Sequence, residues 1–235
     1  MRRLAILVLL LVLAYPAANA GAQPLHHGAP NHRISRSTST NWAGYSATGS
    51  TFDSVSATWK QPSASCTSAD AYSSFWVGLD GDGSNTVEQI GTDADCSSGK
   101  PVYYAWYEMY PKFPVNLSIT IRPGDTISGS VTTDGSGSFT LAIQDVTTGG
   151  SFTTTQKLKH ARLASAEVIA EAPSSGGVLP LANFGTVNFS AATVNGQPIG
   201  GFNPDRIDMV SGTTTKATTS TLSKGTAFSV AWKHA

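Results

Sequence analysis

Between Phe75 and Gly91 the chain brings together three groups that could serve hydrolysis: the Trp76 ring, the Asp80 carboxylate and the Gln89 amide. A carboxylate with an ordinary pKa, about 4.3 for glutamate, is a usable general base only in acid or weakly acid solution. A neutral amide can hold a developing oxyanion without changing its own protonation state. If the protein is a hydrolase, this segment therefore favours carboxyl and amide chemistry.

Few histidines are available for catalysis beyond residue 40, where the chain has only His160 and His234. His234 is the next-to-last residue, and chain ends commonly fray. A Ser-His-Asp triad needs a well-placed histidine base, so it is disfavoured. The chain also has no Gly-x-Ser-x-Gly elbow and no His-Glu-x-x-His motif.

Two other uses of the acidic residues fit less well. A calcium loop starting at Asp80 would need glycine at its sixth position and glutamate at its twelfth, but the chain has Asn85 and Gly91 there. A tight turn is the favoured interpretation. Glu167 and Glu171 would lie on one strand face about 13 Å apart, and paired glycosidase carboxylates need about 5 to 9.5 Å. A bulge could close that gap, so glycoside hydrolysis stays open but weakened.

From residue 41 to residue 235 short runs of alternating apolar and polar residues predict strands. The clearest sets are Val55, Ala57 and Trp59; Leu117, Ile119 and Ile121; Phe139, Leu141 and Ile143; and Phe228, Val230 and Trp232. Turn sequences such as Asp134-Gly and Asn195-Gly separate these runs. No stretch has a helical period. The pattern predicts an all-β protein with one sandwich or barrel domain.

One predicted strand, Val102–Tyr110, carries aromatic residues on both faces. Its first face holds Val102, Tyr104, Trp106, Glu108 and Tyr110, and its second holds Tyr103, Ala105, Tyr107 and Met109. We therefore expect a central strand. Glu108 among aromatic rings could line a binding cleft, or it could be satisfied by a neighbouring tyrosine or backbone group.

The N-terminal region predicts export. Arg2 and Arg3 precede the apolar run Leu4–Leu13, and small residues follow up to Ala20. We interpret residues 1–20 as a signal peptide, residues 21–40 as a flexible leader or short pro-segment, and residues 41–235 as the folded domain. The expected location is extracellular, with no membrane contact after signal removal.

Charge indicates which partners are excluded. Without Arg2 and Arg3 the chain has 13 basic and 15 acidic residues instead of 15 and 15, so nothing favours nucleic acid. Charged residues make up 13% of the chain, about half the usual share of roughly 25%. Few native ion pairs can then be lost when carboxylates protonate, which suits a protein exposed to changes of pH.

Cys66 and Cys96 are the only cysteines. In an exported chain the default is one disulfide, which would close the loop that carries Trp76 and Gln89. Two free thiols are the alternative. Two cysteines without nearby histidines are too few for a structural zinc site, so we expect no metal.

Seven blocks of sequence, in order along the chain, carry a family resemblance. They are Asn41–Tyr45, Phe75–Gly81, Glu88–Asp93, Ala105–Pro111, Ile121–Ile127, Ser165–Glu171 and Leu181–Phe189. Together they resemble the glutamic peptidases, or eqolisins, which are secreted acid proteases with a Gln–Glu dyad. The resemblance runs from about residue 41 to the C-terminus.

The resemblance implies a β-sandwich of two curved antiparallel sheets, a lectin-like jelly roll of the concanavalin A type. It implies that Gln89 and Glu167 are catalytic and that no cofactor is needed. Glu167 would be the general base and acid, and Gln89 would stabilise the oxyanion. The implied cleft and supporting residues are Trp76, Asp80, Glu108, Tyr104, Trp106 and Tyr110.

Val168 stands where the family usually has tryptophan, so we expect an altered substrate preference. The implied partners are polypeptide substrates, and we expect a monomer. The alternatives are a carbohydrate-binding, lectin-like module and a catalytically inactive family member.

Overall fold

The computed structural model describes residues 37–235. In that part of the chain the backbone forms strands and one short 3₁₀ helix, Ile199–Phe202. The strands are β1 Thr38–Ser39, β2 Trp42–Thr48, β3 Ser54–Lys60, β4 Ser74–Leu79, β5 Val87–Ser97, β6 Lys100–Tyr110, β7 Val115–Asn116, β8 Thr126–Thr133, β9 Ser138–Asp145, β10 Ser151–Lys157, β11 Ser165–Glu171, β12 Thr186–Val194, β13 Gln197–Pro198, β14 Asp205–Ser211, β15 Thr214–Thr219 and β16 Phe228–Trp232. No helix within these residues has the length and apolar character needed to cross a membrane.

The strands build two sheets that share β14. The site sheet runs β14–β2–β11–β4–β5–β6–β7, and the second sheet runs β10–β9–β8–β3–β12–β16–β15–β14. Asp205–Ile207 pairs with β2, whereas Met209–Ser211 pairs with β15. The ladders along both sheets are antiparallel, and the short β1 lies parallel to β14. The predicted all-β sandwich is confirmed.

The main hydrophobic core lies between the two sheets. Val77, Ile90 and Val168 enter it from the site sheet, and Trp59 and Leu141 enter it from the second sheet. Side chains in a strand alternate between faces, so a period of two places every other residue in this core. The predicted strands around Trp59, Leu141 and Val230 follow that pattern and are confirmed.

Two strand predictions are wrong. Leu117–Ile121 is not a strand, because the ladder from β6 ends at β7 and the chain then runs irregularly to β8. Ile121 is nevertheless buried in the core, with Leu117 and Ile119 packed against it. Leu117 N–H donates to Ala105 O of β6 at 2.8 Å, but the ladder does not continue, so alternating burial arose there without a regular strand.

The predicted central position of Val102–Tyr110 is also wrong. β6 pairs with β5 along its whole length but meets β7 only at Trp106 and Tyr107. Both faces are aromatic because one packs on the core, through Tyr107, and the other joins a second apolar cluster, through Trp106.

The N-terminal boundary lies earlier than predicted. Thr38 and Ser39 pair with Asp208 and Met209, so the last residues of the predicted leader belong to the sheet. The predicted signal peptide, residues 1–20, and the rest of the leader lie outside the described residues.

The predicted disulfide is confirmed: Cys66 and Cys96 are bonded, with their Cα atoms 5.4 Å apart. The bond joins the segment after β3 to the end of β5 and closes a loop with a sequence separation of 30. That loop contains β4 and most of β5, which are neighbours in the site sheet.

We expect the double variant Cys66→Ser, Cys96→Ser to lose about 3 to 4 kcal/mol of unfolding free energy, because the open loop gains entropy in the unfolded chain. Denaturant unfolding followed by circular dichroism measures this loss. Ser68→Ala, an exposed change in the same loop, is the control and should change nothing. A loss below about 1 kcal/mol in the double variant would contradict the argument.

Candidate active site

The face of the site sheet that points away from the main core carries a row of polar residues. In-register ladders place Ser46 of β2, Glu167 of β11, Gly78 of β4, Gln89 of β5 and Glu108 of β6 side by side. Directly opposed residues of neighbouring strands share a face and lie close together. We call these five residues the dyad row. It brings Gln89 and Glu167, which the sequence pairs only by resemblance, onto one surface.

Gly78 separates the two proposed catalytic side chains. Gln89 and Glu167 lie two strands apart, or roughly 10 Å between backbones. A Cβ atom on Gly78 would come within 2.9 Å of Trp76 Cζ3 and 3.1 Å of Gln89 Cβ. Glycine is needed at this position because the Trp76 ring and the Gln89 side chain pack directly against the Gly78 backbone.

The Gln89 amide is oriented by Glu108. Gln89 is buried, and its Nε2 donates a hydrogen bond of 3.2 Å to Glu108 Oε2. This contact spans one ladder step of the row. Glu108 therefore holds the amide rather than merely lining a surface, as a carboxylate acceptor can with a neighbouring amide donor.

The Glu167 carboxyl group is buried, and its two oxygens differ in their hydrogen bonding. Ser46 Oγ lies 3.5 Å from its Oε1, while Oε2 has no hydrogen-bond partner among the described residues. Burial raises the pKa of Glu167 well above its ordinary value. The Ser165 hydroxyl opposes that shift, and the charges of Asp82 and Asp80 add to it. An unpartnered buried oxygen is costly unless a ligand or water meets it.

Glu171, the other acidic residue of β11, is already engaged. Its Oε1 accepts a 3.0 Å bond from Asn41 Nδ2, and its Oε2 accepts a 2.7 Å bond from Trp76 Nε1. Trp76 packs edge to face on Trp42 with ring centroids 5.2 Å apart. Glu171 thus fixes the Trp76 ring on the site face, and the open oxygen of Glu167 makes Glu167 the better candidate base.

β11 is also regular, with continuous registers to both neighbouring strands. The bulge that could have brought Glu167 and Glu171 to glycosidase spacing is absent from this strand.

Asp80 anchors the segment that leads into β11. Its two carboxylate oxygens accept 2.9 Å bonds from the backbone N–H groups of Leu163 and Ala164. Its own N–H donates to Ser165 O at 2.9 Å. The turn needs a left-handed residue, with φ of 65° at Asp80, a conformation that aspartate tolerates better than most residues. Asp80 therefore sets where β11, and with it Glu167, begins.

Tyr104 and Trp106 are tied to a buried acidic pair. The Trp106 indole donates to Asp93 Oδ1, and the Tyr104 hydroxyl lies 2.8 Å from Asp93 Oδ2 and 2.9 Å from Asp95 Oδ2. One hydroxyl proton cannot serve both carboxylates. Burial first, and then the charge of Asp93, raise the pKa of Asp95 well above its ordinary value.

Tyr110 is half-buried and lies opposite Val87. Burial raises the pKa of its hydroxyl, and the charge of Glu108 raises it further. Of the predicted cleft residues, Tyr104 and Tyr110 are the two with part of their surface exposed, and Tyr110 is the one next but one to Glu108 on the same strand face.

Val168 does not alter the site face. Its side chain is fully buried in the main core, on the face of β11 opposite Glu167, and its cross-strand neighbours are Tyr45 and Val77. Val168 therefore contributes to packing between the sheets, and its effect on substrate preference stays a prediction.

Sequence reasoning missed several residues of the site. Asn41 and Asp93 lie inside the resemblance blocks, and their polar type was the available signal. Ser46 and Gly78 carry no signal in their type, because only the register shows that they belong to the dyad row.

Glu88, beside Gln89 in sequence, points to the opposite face and is fully buried. Its ladder partners are Leu79 and Met109, and neither of its carboxyl oxygens has a hydrogen-bond partner among the described residues. Burial, with a smaller contribution from the charge of Asp80, raises the pKa of Glu88 to about 8.

We expect Glu88 to make the fold less stable as pH rises. The unfolded chain ionises this group near 4.5 and the folded protein only near 8, so unfolding free energy falls between these values and then levels off. The loss is on the order of 4 kcal/mol. Glu88→Gln should flatten this slope in denaturant unfolding at several pH values. Asp53→Asn, at an exposed carboxylate, should keep the slope, and an equal slope in Glu88→Gln would refute the assignment.

Comparison with known proteins gives one consistent result. The model of the Peptidase A4 family matches residues 40–232. Scytalidopepsin B of Scytalidium lignicola is 47% identical over 114 residues, which are 47% of this chain and 42% of that protein. Aspergillopepsin-2 of Aspergillus niger is 32% identical over 189 residues, which are 69% of this chain and 67% of that protein.

A solved structure agrees with the fold. The crystal structure of scytalido-glutamic peptidase with a peptide-based transition state analog superposes with a TM-score of 0.73 at 31% identity, covering 83% of this chain and 98% of that one. The sequence-based resemblance is thereby confirmed, and the chain belongs to the Peptidase A4 family.

Proposed function

We propose that this protein is an endopeptidase that cleaves polypeptides in acid solution by means of Glu167 and Gln89. The observation that carries the proposal is the dyad row, in which the two side chains flank the bare Gly78 and Glu167 keeps one oxygen without a partner among the described residues. Family membership supports it, as does the relative whose structure holds a peptide-based transition state analog.

In the proposed reaction, ionised Glu167 takes a proton from a water molecule bound to its carboxylate. The water oxygen attacks the scissile carbonyl carbon, and the carbonyl oxygen becomes an oxyanion. The Gln89 amide, which Glu108 orients, donates to that oxyanion. Glu167 then passes its proton to the leaving nitrogen as the C–N bond breaks. Charges balance without a metal or a covalent intermediate.

Burial has two consequences for this chemistry. Glu167 and Gln89 are both buried, so substrate binding must bring the scissile bond to them. The raised pKa of Glu167 means that the general-base form declines at a higher pH than it would for an exposed glutamate, with its pKa of about 4.3. The acid limb of kcat/KM should therefore lie at higher pH than it would for an exposed glutamate.

Secretion and the monomeric state are part of the proposal. The signal-like residues 1–20 support export, and the disulfide between Cys66 and Cys96 fits an oxidising compartment.

We expect Gln89→Ala to lower kcat/KM on casein at pH 3 to 5 by about 10²- to 10³-fold, because an oxyanion donor is lost. Glu167→Gln should cost about 10²- to 10⁴-fold or more, because the base is lost. Gln144→Ala, an exposed glutamine on β9 of the second sheet, is the matched control and should keep full activity. Circular dichroism should show all three variants folded.

Activity that survives both dyad substitutions would sink the proposed mechanism. Wild-type protein that binds glycans without digesting casein would favour the lectin-like alternative, and folded protein that does neither would favour an inactive family member.

Gly78→Ala tests the close packing at Gly78, between the dyad residues. The new methyl group would crowd Trp76 and Gln89, so we expect kcat/KM to fall at least tenfold, as small displacements of catalytic groups often cause. Gly201→Ala, where a Cβ meets nothing within 4 Å, is the control. Unchanged activity in a folded Gly78→Ala protein would show that the packing of Trp76 and Gln89 on Gly78 does not set the geometry of the site.

A further inference from the structure

Ser46, at one end of the dyad row, links Glu167 to a second carboxyl group. Ser46 is fully buried, and its Oγ lies 2.8 Å from Asp82 Oδ2 and 3.5 Å from Glu167 Oε1. A hydroxyl has one proton to donate and two lone pairs that accept. The shorter contact takes the proton, so Ser46 donates to Asp82 and turns a lone pair toward Glu167.

Asp82 is held in place by its surroundings. Its N–H donates to Ser165 Oγ at 3.2 Å, and the next residue, Gly83, accepts a 2.7 Å bond through its carbonyl from Arg162 Nη1. Ser165 opens β11, two residues before Glu167. The carboxyl group of Asp82 is therefore a fixed neighbour of Glu167 rather than part of an independent surface loop.

The direction of the Ser46 hydroxyl decides which protonation state of Glu167 is favoured. While Asp82 is ionised, Ser46 offers Glu167 only an acceptor, which suits protonated Glu167. When Asp82 carries a proton, its O–H can donate to Ser46 Oγ, and the Ser46 proton is released toward Glu167. The Glu167 anion then gains a hydrogen bond. No proton leaves the Asp82–Ser46–Glu167 chain, so the pair holds one proton in either arrangement, as coupled carboxyl groups do.

The charged groups around the Asp82–Ser46–Glu167 hydrogen-bond chain are mostly acidic. Asp80 and Asp82 act on Glu167, while Asp205 of β14 acts on Asp82. Burial, and to a smaller extent Asp205, raise the pKa of Asp82, while the Ser46 hydrogen bond lowers it. Glu108 lies three strands away in the row, and Arg162 bonds the Gly83 carbonyl rather than either carboxyl group. Arg206 is exposed on β14.

We propose that Asp82 is a positioning residue that acts through Ser46: while ionised it holds the Ser46 hydroxyl away from Glu167, and when it takes the proton that the pair shares it turns that hydroxyl to stabilise the Glu167 anion as the base. The inference rests on the proposed peptidase function, because that function makes Glu167 the base. Its test does not depend on peptidase activity. The link through Ser46 gives the buried Glu167 a route to remain ionised in more acid solution than burial alone would permit.

A titration of Glu167 tests the link without using activity. The chain has four glutamates, Glu88, Glu108, Glu167 and Glu171, so glutamate labelled with ¹³C at the side-chain carboxyl gives four signals, assigned by single Glu→Gln variants. Asp82→Asn removes the acceptor charge and leaves Ser46 free to donate to Glu167. A hydrogen bond to a charged group corresponds to about one to two pKa units, so we expect the Glu167 midpoint to fall by about one unit.

The Ser46→Ala background separates a hydrogen-bond link from a simple charge effect. If Asp82 acts through Ser46, adding Asp82→Asn to Ser46→Ala should move the Glu167 midpoint by less than half of its effect in the wild-type background. Asp205→Asn, which removes a nearby exposed charge not bonded to Ser46, is the control and should move it little. Asp82→Ala serves as a second variant and should match Asp82→Asn in direction.

Equal shifts with and without Ser46, or no shift in Asp82→Asn, would overturn the proposal. In an active enzyme, the acid limb of kcat/KM should move to lower pH in Asp82→Asn by the same amount as the titration midpoint. Failure of the proposed function would appear differently, as wild-type protein that shows the linked titration but cleaves no casein.

Discussion

The register of two neighbouring ladders, β11–β4 and β4–β5, is the constraint on which the site depends. β11, β4 and β5 pair without a bulge, so Glu167, Gly78 and Gln89 stand in line on one face while their chain neighbours Val168 and Ile90 enter the core. A slip of one residue would exchange the two faces of a strand. The apolar alternation that selects the register by filling the core therefore also selects which polar residues meet. The same strand register therefore determines both the packing of the core and the arrangement of the site.

The acidic side chains of the site share an electrostatic condition. Burial raises the pKa of Glu167, Asp95 and Glu88, and it raises that of Asp82 more modestly. Each group is easier to keep neutral than an exposed carboxyl. Acid solution lets this group of carboxyls exist without accumulating repulsive charge, and neutral solution does not. Charged residues make up only 13% of the chain. Few ion pairs are therefore lost when exposed carboxylates protonate, which also favours stability in acid solution.

The sequence alone predicted the all-β architecture and some residues of the candidate site, but not all of them. Alternation around Trp59, Leu141 and Val230 predicts real strands, because each has a partner on both sides or a core face to fill. It failed at Leu117–Ile121, where the same alternation lacks a partner strand. Resemblance pointed to Gln89 and Glu167, but the parts played by Ser46 and Gly78 depend on cross-strand register, which composition and local spacing do not encode. The bonds from Asn41 and Trp76 to Glu171 likewise join residues distant in sequence.

The shared strand β14 makes the molecule mechanically asymmetric. Backbone hydrogen bonds join the two sheets along β14, whereas at the far side the sheets meet through side chains such as Tyr107 stacked on Phe152 with ring centroids 6.0 Å apart. Backbone ladders resist opening more than side-chain packing does. Counting outward from β14, Glu167 lies on the second strand, Gln89 on the fourth and Glu108 on the fifth. The strand that carries Gln89 therefore lies farther from the shared backbone ladder than the strand that carries Glu167, and we expect it to open more readily.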